Sequence, residues 1–143
     1  RAEFITMLAR MSGESLPQYD NSFTDVSSDA YYARAVAWAV NAGITKGTSD
    51  TTFSPKKNIS RQEIAVMIYR YAQHNQFSFA TVNEALIFTD QAQISSYALP
   101  AVSIMQQAGI ISGYEDDSFR PAGYATRAEA AKMLALVDQA IND

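Results

Sequence analysis

Two arginine residues, Arg61 and Arg127, stand 66 residues apart at the start of similar helical patterns. Each follows a serine or threonine and is followed, two positions on, by a glutamate. The first turn of a helix carries partial positive charge, so a cation there needs another reason. One explanation is structural: an ion pair with that glutamate or with a neighbouring repeat. The other is functional, because a planar guanidinium beside free helix N–H groups can hold an anionic ligand.

The residues around the arginines predict three similar helices. Ser60 and Thr126 are predicted N-caps, and the glutamate three residues after each completes a capping box. Apolar residues follow at 64, 67, 68 and 71, and again at 130, 133, 134 and 137, which places one stripe on one helical face. The same stripe occurs at 4, 7, 8 and 11. The three stripes together predict helices over residues 1–11, 61–73 and 127–141. The first of these starts without a cap, so we expect residue 1 to be a cut boundary.

Two further helices, rich in alanine, are predicted between these three, the first over residues 30–42. Each is expected to begin at a polar cap and to end at a glycine. The first is predicted to begin at Ser28 or Asp29 and to end at Gly43. The second is predicted to begin at Ser95 or Ser96 and to end at Gly109. Pro100 fits in a first helical turn, where its missing N–H does no harm. Phe53 and Phe119, in the loops that follow, are expected to fill the small core of each repeat.

The order of these markers resembles the S-layer homology (SLH) domain. Five separated markers occur twice with the same spacing, so the resemblance is specific and covers nearly the whole chain. In the first copy they are Phe23-Thr24-Asp25, Tyr31-Tyr32, Gly43 to Gly47, Phe53-Ser54-Pro55 and Ser60 to Glu63. In the second they are Phe88-Thr89-Asp90, Tyr97, Gly109 to Gly113, Phe119-Arg120-Pro121 and Thr126 to Glu129.

The resemblance implies an all-α fold of helix–loop–helix repeats. Such repeats form a three-lobed pseudo-trimer around a central helix bundle, which would be incomplete here. Residues 1–21 would be the last helix of a truncated repeat with a linker, and residues 22–84 and 85–143 would be complete repeats.

The resemblance also implies a function. The family anchors secreted proteins non-covalently to the bacterial cell wall by binding an anionic secondary cell-wall polysaccharide, often pyruvylated, in grooves between repeats. The expected location is therefore extracellular, at the cell wall or S-layer, and the expected partner is this polysaccharide on peptidoglycan. The candidate polysaccharide contacts are Arg61, Arg127, Gly47, Gly113, Thr48, Tyr114, Asp25, Asp90 and, by weaker analogy, Arg1. Trp38 could contact a sugar too, although a place in the core suits it better.

Alanine substitution of Arg61 or Arg127 is expected to weaken binding and leave the helices intact; loss of the fold would favour the structural explanation. The alternative function is a structural protein–protein or self-association module. It would form a homo-oligomer through the incomplete first lobe, because the apolar stripe of the first helix lacks a partner.

Composition excludes several other classes of protein. The net charge of −4 argues against nucleic-acid binding, and the absence of cysteine excludes disulfides and thiolate metal sites. No apolar run is long enough to span a membrane. No nucleophile, base and oxyanion donor assemble in any known motif, so we predict no enzyme activity and no cofactor. The acidic run 115–117 suggests a tight turn, in which Asp50 or Asp116 bonds local N–H groups, rather than a metal site.

Overall fold

The computed structural model describes residues 1–20 and 22–143. These residues form five α-helices: α1 (Ala2–Ser12), α2 (Ala33–Asn41), α3 (Arg61–His74), α4 (Leu99–Gln107) and α5 (Arg127–Asn142). A short 3₁₀ helix spans Gln91–Gln93, and within the described ranges the only strand-like pairing is an isolated bridge between Ser60 and Tyr124. The predicted all-α class is confirmed.

The chain divides into two compact units, Arg1–Asn58 and Ile59–Asp143. Helix α1 packs on α2 in the first unit, and α3 packs on α4 in the second. Each unit therefore combines the last helix of one sequence repeat with the inner helix and loop of the next. The repeat boundaries at 21/22 and 84/85 stay a prediction, and Asn21 itself lies outside the described residues. The three-lobed arrangement also stays a prediction.

The predicted N-caps of α3 and α5 are confirmed. The Ser60 hydroxyl accepts a hydrogen bond from the Glu63 N–H at 3.3 Å, and the Thr126 hydroxyl accepts one from the Glu129 N–H at 3.1 Å. The carboxylate of Glu129 lies near Arg61 rather than completing the capping box, with 3.7 Å between Oε2 and Nη1. The cap of α5 therefore rests on the hydroxyl alone.

The caps predicted for α2 and α4 are wrong. Neither helix has a side-chain cap, and each begins three or more residues after the predicted serine or aspartate. Turns precede both helices: the carbonyl of Ser27 accepts from the Ala30 N–H at 3.0 Å, and that of Ser95 accepts from the Ala98 N–H at 2.9 Å. The predicted cap residues therefore lie within turns ahead of the helices instead of capping them.

The predicted helix ends are close to those observed. Pro100 lies in the first turn of α4. Gly43 and Gly109 follow the C-cap residues of α2 and α4 in left-handed conformations, with φ of 75° and 76°. Glycine adopts this conformation without a Cβ penalty, which ends the helix and turns the chain into the loop.

A pair of phenylalanines forms the centre of each repeat loop. Phe53 and Phe119 are fully buried, as predicted. Phe53 packs on Phe23 with ring centroids 5.8 Å apart, and Phe119 packs on Phe88 at 5.3 Å. Trp38 is also buried, and its indole N–H donates to Glu14 at 3.0 Å, so the core position preferred for it is confirmed.

Candidate functional site

The Arg61 side chain is directed into the protein, with 5% of its surface exposed. Its Nε donates to the Phe119 carbonyl at 2.8 Å, and its Nη2 donates to the Ser112 carbonyl at 2.9 Å. The guanidinium also lies over the Phe119 ring, 5.0 Å from its centroid. Arg61 thus ties the start of α3 to the loop of the following repeat.

Arg1 makes the equivalent contacts in the first unit. It is buried, its Nε donates to the Phe53 carbonyl at 2.9 Å, and its guanidinium lies 4.8 Å from the Phe53 ring centroid. A structural reason for the recurring arginine is therefore present at both positions. The predicted ion pair with a neighbouring repeat is present at Arg61, where Nη1 lies 3.7 Å from Glu129 Oε2. The loop carbonyls that accept from the arginines were not predicted.

Arg127 differs from the other two arginines. It is exposed at the start of α5, and it has no hydrogen bond or ion pair with the part of the chain that the structure describes. Its guanidinium is therefore available to bind a ligand or another partner.

Asp25 and Asp90 bind the backbone of their own repeat loops. The two carboxylate oxygens of Asp90 accept from the N–H groups of Phe119 and Arg120, both at 2.8 Å. Those of Asp25 accept from the N–H groups of Phe53 and Ser54 at 2.9 and 2.8 Å. Ser54 and Arg120 both have a φ of 58°, so each aspartate holds a left-handed residue in place.

Gly47 and Gly113 allow aromatic rings to pack against the turns. A Cβ on Gly47, whose φ is 87°, would lie 2.5 Å from the Thr52 carbonyl oxygen and 2.7 Å from the Phe23 ring. A Cβ on Gly113 would lie 2.9 Å from the Phe88 ring. At both positions the absence of a Cβ therefore lets a core phenylalanine of the repeat pack closely against the turn.

The second repeat loop presents an exposed cation on an aromatic ring. The guanidinium groups of Arg120 and Arg61 lie over the half-buried ring of Tyr114, 3.9 and 4.7 Å from its centroid. The Arg120 side chain is 55% exposed, with Nη2 3.7 Å from Asp116 Oδ2. A hydrogen bond from the Ser118 hydroxyl, a second from its backbone N–H and the charge of Arg120 together lower the pKa of Asp116. This surface can offer a ligand a charged, planar hydrogen-bond donor that is supported by an aromatic ring.

Sequence reasoning missed Arg120. It is the middle residue of Phe119-Arg120-Pro121, and its counterpart in the first repeat is Ser54. This difference between the two copies could have identified Arg120, because a cation occupies a motif position where the other copy has a small hydroxyl side chain.

The first repeat loop has serine or threonine at the positions of Glu115, Asp117 and Arg120, and only Asp50 keeps the charge of its counterpart. The Thr48 hydroxyl lies 2.7 Å from that of Ser54 and 3.0 Å from that of Thr52. Ser49 holds the turn by accepting from two backbone N–H groups, at 3.2 and 3.0 Å. The aspartate turn is thus confirmed at Asp116 in the second loop, whereas in the first loop Ser49 has that role.

The residues that the structure describes contain no group of three or more His, Cys, Asp or Glu side chains that could hold a metal ion. Within the same residues, every helix is too short or too polar to cross a membrane.

Comparison with known proteins identifies the family. The family model of the S-layer homology domain matches residues 22–65 and 87–131, which together are more than half of the chain. The chain belongs to the S-layer homology domain family. It is therefore a domain of the bacterial cell surface, of the type that anchors proteins to the wall.

The S-layer homology match extends to relatives of several kinds. The chain is 34% identical over 135 residues to an amylopullulanase of Thermoanaerobacterium thermosulfurigenes and 33% identical over 135 residues to the exoglucanase XynX of Acetivibrio thermocellus. It is 26% identical over 140 residues to a cellulosome-anchoring protein of Acetivibrio thermocellus. Each match covers 94% of this chain but only 7%, 12% and 30% of those relatives. The similarity to the two enzymes is thus confined to a small part of each.

Proposed function

We propose that this S-layer homology domain is a non-catalytic anchor that binds an anionic secondary cell-wall polysaccharide. The observation that carries the proposal is the exposed guanidinium of Arg120 on the Tyr114 ring, in a repeat loop of this family. An arginine gives a carboxylate, such as that of a pyruvate ketal, two parallel charge-assisted hydrogen bonds. The ring beneath it holds the guanidinium in place through a cation–π contact.

The predicted site residues then act in two ways. In this proposal three contact the polysaccharide, because their side chains reach solvent at least in part and bind no loop N–H group: Tyr114, Arg127 and Thr48. The others position the loops that the polysaccharide meets: Arg61, Arg1, Asp25, Asp90, Gly47 and Gly113. Arg120 joins the first group.

Co-sedimentation with purified wall sacculi, with and without their polysaccharide, tests the proposal. We expect pelleting only when the polysaccharide is present. Arg120→Ser should weaken binding about tenfold, since one charged hydrogen-bond donor is lost. The variant should fold, because Ser54 already occupies the same left-handed conformation in the first repeat.

Lys56→Ser is the matched control. It removes the same charge from an exposed position two residues after Ser54 in the first loop. We expect less than about a twofold change, because a lone surface charge contributes little. Equal pelleting with stripped sacculi, or equal losses in both variants, would contradict binding at Arg120.

The alternative, a protein–protein or self-association module, stays a prediction, but its expected basis is wrong: Phe4 and Leu8 of the apolar stripe are buried, and α1 packs on α2. Light scattering over a range of protein concentrations would test it. A monomer at every concentration would remove self-association through the first helix.

A further inference from the structure

A cleft of about 470 Å³ lies in the second unit at the C-terminal end of α3. Its walls are the last turns of α3, residues 76–81 and the outer face of α4. The volume falls within the range of pockets that hold small ligands. Arg61 is at the other end of α3, and a helix of 14 residues at about 1.5 Å per residue separates the two by roughly 20 Å. Most of the cleft also lies outside the two ranges that match the family model.

Aromatic rings form one wall of the cleft. Tyr69, Phe77 and Phe79 line it, and all three are partly exposed. Phe77 and Phe79 meet edge to face, with centroids 4.9 Å apart and planes at 87°. An aromatic face is electron-rich, so it attracts the polarised C–H groups on one side of a pyranose ring.

Side-chain amides provide the polar groups of the cleft. Gln73, Gln76 and Gln107 line it, and none of these amides bonds to another protein group in residues 1–20 or 22–143. Each amide offers both a donor and an acceptor, which matches a sugar hydroxyl that both donates and accepts. No lining residue carries a charge, so an ionised ligand would lose solvation without gaining a partner.

Backbone hydrogen bonds hold the wall of the cleft in position. The Phe77 N–H donates to the Ala72 carbonyl at 2.9 Å, and the N–H groups of Val82 and Asn83 donate to the Gln107 carbonyl at 2.8 and 2.9 Å. The preceding residue of α4, Gln106, is buried, and its side-chain amide donates to the Glu84 carbonyl at 3.0 Å. The segment that carries the two phenylalanines is thus fixed at both ends, which lowers the entropy cost of binding.

We propose that this cleft binds an uncharged sugar of one or two pyranose residues. It would be a second glycan site, chemically distinct from the cationic surface at Arg120. An entirely apolar occupant is disfavoured, because it would cover amides without giving them hydrogen bonds.

The test is a titration of the ¹⁵N-labelled chain followed by NMR, with cellobiose and chitobiose as neutral probes and glucuronic acid as a charged one. Saturable shifts of backbone amides within residues 73–81 and 104–107 are expected from a neutral disaccharide and not from glucuronic acid. Phe79→Ala should weaken that binding about tenfold through loss of one aromatic face. Gln73→Ala, at an exposed helix position where alanine is well tolerated, should weaken it about threefold.

Two control variants make the result specific. Tyr31→Ala removes an aromatic ring that is 67% exposed in the first unit, and it should leave neutral-sugar binding unchanged. Arg120→Ser should also leave it unchanged, so failure of wall anchoring and failure of the cleft can be told apart. Absence of saturable shifts with both neutral disaccharides would overturn the proposal. Stronger shifts with indole, an apolar probe without hydroxyls, would overturn it in favour of an apolar peptide as the occupant.

Discussion

At the scale of single residues, the arginines at the helix starts divide into buried and exposed ones. The guanidinium of Arg61 donates to two loop carbonyls, whereas that of Arg127 has no partner among the described residues. The sequence-based expectation treated both as ligand contacts whose loss would leave the fold intact. For Arg61 the structure favours a contribution to the fold.

We therefore predict that Arg61→Ala and Arg127→Ala have different effects on stability. Arg61→Ala should lower the free energy of unfolding by about 3 kcal/mol, because the buried Phe119 carbonyl and the part-buried Ser112 carbonyl lose a charged donor. Arg127→Ala, the matched control, should change it by less than about 0.5 kcal/mol. Urea unfolding followed by circular dichroism would measure both. Similar midpoints for the two variants would show that the Arg61 contacts contribute little to stability.

A second residue-scale prediction concerns the pKa of Asp116. The Ser118 hydroxyl and backbone N–H donate to the same carboxylate oxygen at 2.6 and 3.1 Å, and they lower its pKa below the ordinary 3.8. The folded form binds the proton less well than the unfolded form. The stabilisation is therefore complete above pH 3.8 and is lost as the pH falls through the lowered value. In Ser118→Ala the pKa of Asp116 should rise, which carboxyl ¹³C NMR titration would detect; an unchanged pKa would assign the shift to other groups.

At the scale of elements, the glycine turns differ in what surrounds them. Gly47 and Gly43 bound the same turn and both have positive φ. A Cβ on Gly47 meets backbone and an aromatic ring, whereas a Cβ on Gly43 has nothing within 4 Å. Only the first position therefore combines conformational strain with a collision.

This difference predicts the outcome of alanine substitution. Gly47→Ala should cost about 3 kcal/mol or more, because the Phe23 ring and the loop must move. Gly43→Ala should cost only about 1 kcal/mol, the penalty of a left-handed residue with a side chain. Thermal unfolding of the two variants gives the comparison. Equal losses would mean that strain alone matters and that the packing of Phe23 does not.

The same elements show which features could be predicted from the sequence. The helices α1, α3 and α5 follow from the apolar period, and the starts of α3 and α5 also follow from their hydroxyl caps; both are local signals. The starts of α2 and α4 could not be placed, because the predicted cap residues lie in turns whose sequences resemble those of caps. The roles of Asp25 and Asp90 were also hidden, since each binds N–H groups 28 or more residues away. Such contacts depend on tertiary packing, and local patterns do not reveal them.

At the scale of the whole chain, the compact units are out of phase with the sequence repeats. The repeat that begins near residue 85 contains α4 and α5, yet α4 packs on α3 of the preceding repeat. The Arg61 side chain makes the same connection, because it extends from α3 and donates to the Phe119 carbonyl. Cutting the chain at the predicted 84/85 boundary would therefore remove both the packing of α3 on α4 and the hydrogen bond from Arg61 to Phe119.

This offset predicts how the chain can be divided. A fragment of residues 59–143 should fold cooperatively, because it keeps α3, α4 and the Arg61 contacts together. A fragment of residues 85–143, the predicted complete repeat, should lack a cooperative transition, since the apolar face of α4 loses the helix that covers it. Circular dichroism during heating would distinguish them. A cooperative transition in the shorter fragment would show that a sequence repeat is an independent folding unit, and that the packing of α3 on α4 is not required for stability.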